Sequence, residues 1–357
     1  MKKPKVLVAP LNWGLGHASR VIPIIDRLIK ANFSVIIAAD GAAFDYLCQE
    51  FPNLQTIKFP DLKIKYSKKH LVFKIFLQSP KIIYNAFVEH YLLKKIIKKH
   101  HIGLVISDNR FGLWNKHTYN IFISHQLNLI FPKKLSFFTP VYQAFLKSII
   151  KKYDECWVPD FPGNHNLSGY LSHPALIPSK TKYIGPISRF NRYHHNALLK
   201  TKYDLLFILS GPEPQRTIFE NIILKQIKNR TLRTALVRGT QTSFNVNSSV
   251  DVYNVVHSEQ LFKLMQQSKL VVCRSGYSSI MDLIIAKKNA ILVPTPGQTE
   301  QEYLANHLKS WNQFYFVLQQ NFNLDHALLN GQLLTTSNLE LENNVDQEIN
   351  RLKLLMQ

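Results

Sequence analysis

Lys5-Val-Leu-Val-Ala-Pro10-Leu-Asn12-Trp-Gly14-Leu-Gly16-His17-Ala-Ser19-Arg20 holds an apolar run, a glycine turn and the polar opening of a helix within sixteen residues. Val6 to Leu11 is shorter than a signal-peptide core and runs straight into the glycines, so it reads as a first strand. The run is continuously apolar, the pattern of a strand covered on both faces of a sheet. The same alternation of short apolar runs and helical patterns continues along the chain and predicts α/β layers. In the first half the expected strands lie near Lys5 to Leu11, Ser34 to Asp40, Thr56 to Phe59, Leu104 to Asp108, Asn120 to His125 and Glu155 to Pro159. Helices are expected to start near His17, Ala42, Pro80 and Phe138.

A second series follows the polar stretch Ser188 to Lys202, with strands expected at Asp204 to Ser210, Thr234 to Arg238, Val250 to Val256, Leu270 to Arg274, Ala290 to Pro294 and Phe314 to Leu318. Two doubly wound domains are the simplest reading: 1–187, with 188–202 as linker, and 203–335. Residues 336–357 form a terminal helix with Leu341, Val345, Ile349, Leu352 and Leu355 on one face. A length of 357 residues suits two such domains.

Lys and Arg number 44 against 23 Asp and Glu, a net charge of +21. Residues 1–200 carry 29 basic and 10 acidic side chains, and 201–357 carry 15 and 13. An anionic partner therefore meets the first half, although such a field does not distinguish lipid, phosphate and nucleic acid. No nucleic-acid-binding motif accompanies it, and none is expected as partner. Cys48, Cys156 and Cys273 lie far apart with no Cys/His clustering, which argues against a disulfide framework or a zinc site and fits a reducing cytoplasm. No apolar run approaches the ~18–20 residues of a membrane span.

In open α/β sheets, ligands gather at the carboxyl ends of strands, where glycine turns and helix amino termini present N–H groups. Gly14 and Gly16 permit a tight turn and close ligand approach, and His17 would lie in the first helical turn, where the dipole favours the neutral base; a plain capping turn is the other reading. Asp108-Asn109-Arg110 ends a buried-looking strand, and Asp108 would either orient His17 as a base or cap its own turn. His125-Gln126 ends the next strand. Gly14, Asn109, Arg110, His125 and Gln126 are accordingly candidates for ligand contact at these strand ends.

Arg274-Ser275-Gly276-Tyr277-Ser278-Ser279, followed by Asp282, reads as strand, small-residue turn and helix start. Phosphate would accept from the Ser275 and Gly276 amides and the Ser278 or Ser279 hydroxyls, Arg274 would supply charge and Asp282 would hold a ribose diol; a capped helix is the alternative. Pro294 to Tyr303 offers Gln298, Gln301 and Glu302 for sugar hydroxyls, or simply a solvated helix start. Ser210-Gly211, Arg238 and His257 complete the candidate ligand-binding set with Gly16.

Together these residues resemble the family 28 glycosyltransferases of the GT-B fold, two Rossmann-like doubly wound domains facing a central cleft. The resemblance is strongest from Val271 to Tyr303. It implies that 1–187 binds the acceptor, with Gly14, Asn109, Arg110, His125 and Gln126 on that side, and that 203–335 binds the nucleotide sugar, where Ser275-Gly276 faces a UDP-sugar diphosphate, Asp282 holds the ribose and Gln301 touches the sugar. This chain departs from the family pattern with Asp282 in place of Glu and Gln301-Glu302 in place of two glutamines. Gly-Leu-Gly-His17-Ala-Ser-Arg20 is also similar to sugar-nucleotide hydrolases of this fold, whose histidine activates water, so a UDP-sugar hydrolase or epimerase, or a non-catalytic nucleotide-sugar-binding subunit, is the alternative. The implied chemistry is inverting transfer of a hexose or N-acetylhexosamine, with His17 and Asp108 as the base. UDP-sugar is the co-substrate and no cofactor is expected. No Asp-x-Asp occurs, so no metal site is expected.

Lys58 to Lys99 holds 11 lysines against two acids, interleaved with Tyr66, Phe73, Phe76, Tyr84, Phe87 and Tyr91, and Phe131 to Lys152 repeats the mixture. Such segments either bury their apolar faces or meet an anionic bilayer. The latter implies a lipid-linked or surface-glycan acceptor and a cytoplasmic protein peripheral to the inner membrane face.

Overall fold

The computed structural model describes residues 3–60, 79–131, 133–193, 199–240, 250–336 and 344–356. The chain divides into two compact units, residues 1–189 with 341–357, and residues 190–340.

In the first unit, seven parallel strands follow the order β3-β2-β1-β4-β5-β6-β7. They are β1 Lys5–Pro10, β2 Ser34–Ala39, β3 Gln55–Lys58, β4 Leu104–Asp108, β5 Tyr119–Ile123, β6 Glu155–Val158 and β7 Thr181–Tyr183. The helices are α1 Leu15–Lys30, α2 Gly41–Glu50, α3 Ser79–His100 and α4 Thr139–Ile150. β1, β2, β4, β5 and β6 are buried almost throughout, as their unbroken apolar runs require. Leu7, Ile36, Phe59, Leu93 and Val105 form one core cluster, and Phe122, Leu146, Ile150 and Tyr153 another.

β7 has no counterpart among the expected strands. At three half-buried residues on a sheet edge it is too short to show a period. The tail forms α10, Asn344–Leu355, within the first unit. Val345, Ile349 and Leu352 are buried, but Leu355 is exposed, and Leu341 lies outside the described residues. Ion pairs fix the helix: Arg27 to Asp346 at 2.9 Å and Lys182 to Glu348 at 2.9 Å.

In the second unit, six parallel strands follow the order β10-β9-β8-β11-β12-β13. They are β8 Tyr203–Ile208, β9 Thr234–Val237, β10 Val250–Tyr253, β11 Ser268–Cys273, β12 Ala290–Leu292 and β13 Phe314–Phe316. The helices are α5 Gln215–Ile227, α6 Ser258–Gln266, α7 Tyr277–Ile285, α8 Thr299–His307 and α9 Leu324–Gln332. Leu205, Phe207, Phe219, Leu236, Val272 and Ile291 centre its core. The polar stretch 188–202 is not wholly a linker. Phe190 is fully buried and its ring lies 5.2 Å from that of Phe262, which seats it in this unit. One apolar residue in a polar run carries no periodicity that would announce burial.

Each sheet begins in its middle. β1 is flanked by β2 and β4, and β8 by β9 and β11, so successive strands run to one edge and then return. The reversal opens a crevice at the carboxyl ends of β1 and β4, and of β8 and β11. In the first, Pro10 pairs in register with Asp108 and the Leu11 amide donates to the Asp108 carbonyl at 3.0 Å. In the second, Ile208 pairs with Cys273, which brings the Ser210 and Ser275 loops alongside one another.

Candidate functional site

Gly14 takes φ 74° at the N-cap of α1, a left-handed conformation suited to glycine, and a Cβ there would meet nothing within 4 Å. No side chain caps α1 and no acid occupies its first turn. The turn delivers His17 to the β1–β4 crevice, where its Nδ1 lies 3.1 Å from Asp108 Oδ2. Asp108 is fully buried. Burial alone would push its carboxyl up, but the charges and hydrogen bonds of Arg20 and His17 prevail and hold it at about 2.

Sequence reasoning did not single out Arg20, which meets both residues. Its Nε donates to Asp108 Oδ2 at 3.1 Å and its Nη2 to Asp108 Oδ1, a two-armed pairing. Nη2 also lies 2.8 Å from His17 Nδ1, and Nη1 lies 2.8 Å from His125 Nδ1. An arginine only donates, so neutral His125 accepts at Nδ1 and carries its proton on Nε2. The signal for Arg20 was present: three residues after His17, it shares that face of α1.

The other first-unit candidates separate. Asn109 takes φ 57°, which asparagine tolerates, and its amide donates to the Ile123 carbonyl at 3.1 Å. Arg110 is 1% exposed and turns beneath the loop, pairing with Glu89 at 2.9 Å, donating to the Pro60 carbonyl and lying 4.6 Å over the Phe59 ring. That geometry makes it a clamp between strand and α3 rather than an acceptor contact. Gln126 is half-buried at the loop, its carbonyl accepting from the Tyr142 hydroxyl at 3.2 Å.

In the second unit, Gly276 caps α7 without a side-chain hydrogen bond, and Ser278 and Ser279 stand half-buried in its first turn. The Ser275 hydroxyl donates to the Gln301 carbonyl at 2.8 Å. Gln301 closes the preceding loop: its Oε1 accepts from the Thr295 amide at 2.8 Å and its Nε2 donates to Gln298 Oε1 at 2.6 Å. Glu302 accepts from the Gly297 amide at 3.2 Å. Ser210, Gly211 and His257 are exposed at the loops, while Asp282 is buried on α7. Burial and the nearby Asp282 charge push the Cys273 thiol up to about 12.

Arg274 and Arg238 do not face outward as the sequence pattern suggests. Arg274 is 1% exposed and donates to the carbonyls of Val293, Pro294 and Gln215 and to Gln319 Oε1 at 2.6–3.2 Å, which ties three loops together. Arg238 is buried against Glu220 and donates to Asn254 Oδ1 at 3.1 Å. A buried guanidinium must satisfy its donors, and carbonyls packed nearby do so before any ligand arrives. Both arginines shape the loops from beneath.

Residues 206–356 match the model of the glycosyltransferase family 28 C-terminal domain. A relative from Prochlorococcus marinus (strain MIT 9301), a UDP-N-acetylglucosamine--N-acetylmuramyl-(pentapeptide) pyrophosphoryl-undecaprenol N-acetylglucosamine transferase, is 26% identical over 143 residues, 38% of this chain and 39% of the relative. The matched stretch thus spans about two fifths of that relative's length. Among solved structures, MurG of Acinetobacter baumannii aligns with TM-score 0.60 at 14% identity over 99% of this chain and 100% of that one. The calicheamicin glycosyltransferase CalG4 aligns with TM-score 0.64 at 9% identity over 100% and 95%. At such identities the structural likeness is one of fold. The C-terminal part of the chain thus matches the family 28 C-terminal domain, and its pair of parallel sheets shares the GT-B fold of these solved glycosyltransferases.

Proposed function

We propose that the protein is an inverting, metal-independent glycosyltransferase that moves a hexose or N-acetylhexosamine from a UDP-sugar to a lipid-linked or surface-glycan acceptor. The observation that carries this reading is the 3.1 Å contact between His17 Nδ1 and the buried, ionised Asp108 at the β1–β4 crevice. Asp108 Oδ2 and Arg20 Nη2 both meet Nδ1, and in the tautomer whose Nδ1 donates to Asp108 the imidazole has Nε2 free as a base. The acceptor hydroxyl gives its proton to Nε2 and its oxygen bonds to the anomeric carbon, while the bond from that carbon to the diphosphate oxygen breaks.

The second unit supports the donor. The Ser275 and Gly276 amides and the Ser278 and Ser279 hydroxyls stand at the start of α7, where the helix dipole favours the growing negative charge of the leaving diphosphate. Asp282 takes the ribose diol, Gln298, Gln301 and Glu302 the sugar hydroxyls, and Ser210 and Gly211 border the phosphates. Arg274 and Arg238 hold these loops in place. The relative's name specifies UDP-N-acetylglucosamine as its donor, in keeping with this choice.

The acceptor reading rests on α3. Ile83, Tyr84, Phe87 and Tyr91 are exposed on this helix, and Lys95 Nζ lies 4.5 Å from the Tyr91 ring centroid. Aromatic rings beside lysines suit an anionic lipid interface, which supports a position at the inner face of the cell membrane. Of the basic stretch that begins at Lys58, residues 61–78 lie outside the described residues. Among the described residues, no helix is long and apolar enough to cross a membrane.

The test is nucleotide release from UDP-, GDP- and dTDP-sugars by the purified protein, with and without a membrane-lipid extract. Release from one UDP-sugar that depends on lipid is expected, and release without lipid would establish a hydrolase instead. His17→Ala should retain donor binding and lose at least ~100-fold in turnover. A rate within about threefold of wild type removes His17 as the base.

A further inference from the structure

The base assignment leaves a physical problem. A histidine beside a buried carboxylate is drawn toward the imidazolium form, and an imidazolium cannot take a proton. Asp108 is fully buried, and its Oδ2 lies 3.1 Å from His17 Nδ1. Something must offset that anion if His17 is to remain a base.

Arg20 is placed to do so. Its Nε and Nη2 hold both carboxylate oxygens of Asp108. The same Nη2 lies 2.8 Å from His17 Nδ1, so a proton added to the imidazole creates a second cation against a permanent one. Arg20 is itself 2% exposed, so water screens neither interaction well. Among the described residues, the charged and titratable groups that meet His17 are Asp108 from the end of β4 and Arg20 from α1. His125, from beyond β5, reaches the cluster through Arg20 Nη1 as a neutral acceptor.

We propose that Arg20 is the positioning residue of the base: it holds Asp108 with both arms and sets a permanent cation against the His17 ring, which opposes the gain of a second positive charge there. The role builds on the glycosyl-transfer reading. It also concerns the cluster alone, and can be read without substrate. Arg20 does not touch the reacting atoms, and its effect is exerted through His17.

The experiment is NMR titration of the His17 imidazole in the full chain, with the signal assigned by its absence in His17→Asn. In Arg20→Gln the titration midpoint should rise by at least about one unit relative to wild type. The acid limb of kcat/KM should move up with it, leaving the donor Kd within about twofold. In Asp108→Asn, which leaves the guanidinium facing the ring with no anion between, the midpoint should fall. A folded Arg20→Gln protein whose His17 titrates as in wild type overturns the proposal. If Arg20→Gln does not fold, an unchanged midpoint in Asp108→Asn overturns it equally. Retained transfer in His17→Ala would refute the base assignment while the titration still reports on Arg20, so the two failures are distinct.

Discussion

Replacing Asp108 by Asn probes the site through stability, without knowledge of substrate. The carboxylate is fully buried, and it accepts from Arg20 Nε at 3.1 Å, from Arg20 Nη2 and from His17 Nδ1 at 3.1 Å. An amide of the same shape offers one acceptor and no charge, which leaves the Arg20 guanidinium buried without an anion. Breaking one side of a buried pair costs about 3–5 kcal/mol. Part of that difference depends on pH, with a definite sign. The folded carboxyl sits at about 2, below its ordinary 3.8, so the stability it contributes is present above pH ~4 and is lost as pH falls through ~2. The shift corresponds to about 2 kcal/mol, of which about half has gone by pH 3. Wild type and Asp108→Asn should therefore differ by about 3–5 kcal/mol at pH 7 and by about 1 kcal/mol less at pH 3.

Urea unfolding followed by tryptophan fluorescence resolves the relevant unit, because Trp13, Trp114 and Trp157 lie in the first unit and Trp311 in the second. A Trp311→Phe background confines the signal to the first unit and keeps the transition close to two-state. A difference below about 1 kcal/mol at pH 7, or a gap of constant size between pH 7 and pH 3, would refute the reading of Asp108 as a buried, ionised partner of Arg20.

Arg274→Met should destabilise the second unit by about 2–4 kcal/mol, since it strands three carbonyls and the Gln319 amide oxygen that the guanidinium now satisfies. Trp311 fluorescence in urea measures this, and a loss under about 1 kcal/mol would show that the loops hold without the clamp. Combined replacement of Tyr84, Phe87 and Tyr91 by Ser removes rings exposed on α3, so unfolding should change by less than about 1 kcal/mol. The same variant should bind anionic vesicles at least about tenfold more weakly in a sedimentation assay. Unchanged vesicle binding would exclude α3 as the lipid-facing surface.

Local signals were strong where burial imposes a local pattern. The apolar runs of β1, β2, β4 and β5, the positive-φ turn at Gly14 and the helix that opens before His17 all follow from residues within one turn or one strand of each other. So does the Val271 to Tyr303 segment, whose strand, glycine turn and amphipathic helix specify one another. β7 and Phe190 escaped because a three-residue edge strand and a lone buried ring are too short to generate a period. The tail's apolar stripe predicted a helix, but nothing local identified the first unit, through Arg27 and Lys182, as its seat.

Sequence by itself thus determined the element types, the two-sheet class and the placing of His17 at a helix start, because each is a matter of neighbours along the chain. Tertiary structure alone decided that Asp108, 91 residues away, meets His17, since only the reversal of strand order at β1 sets β4 beside it. It also decided the fate of the arginines. Arg20 turns toward Asp108 and Arg110, Arg238 and Arg274 turn beneath their loops, because a buried guanidinium goes where acceptors are packed, and charge in a sequence carries no direction.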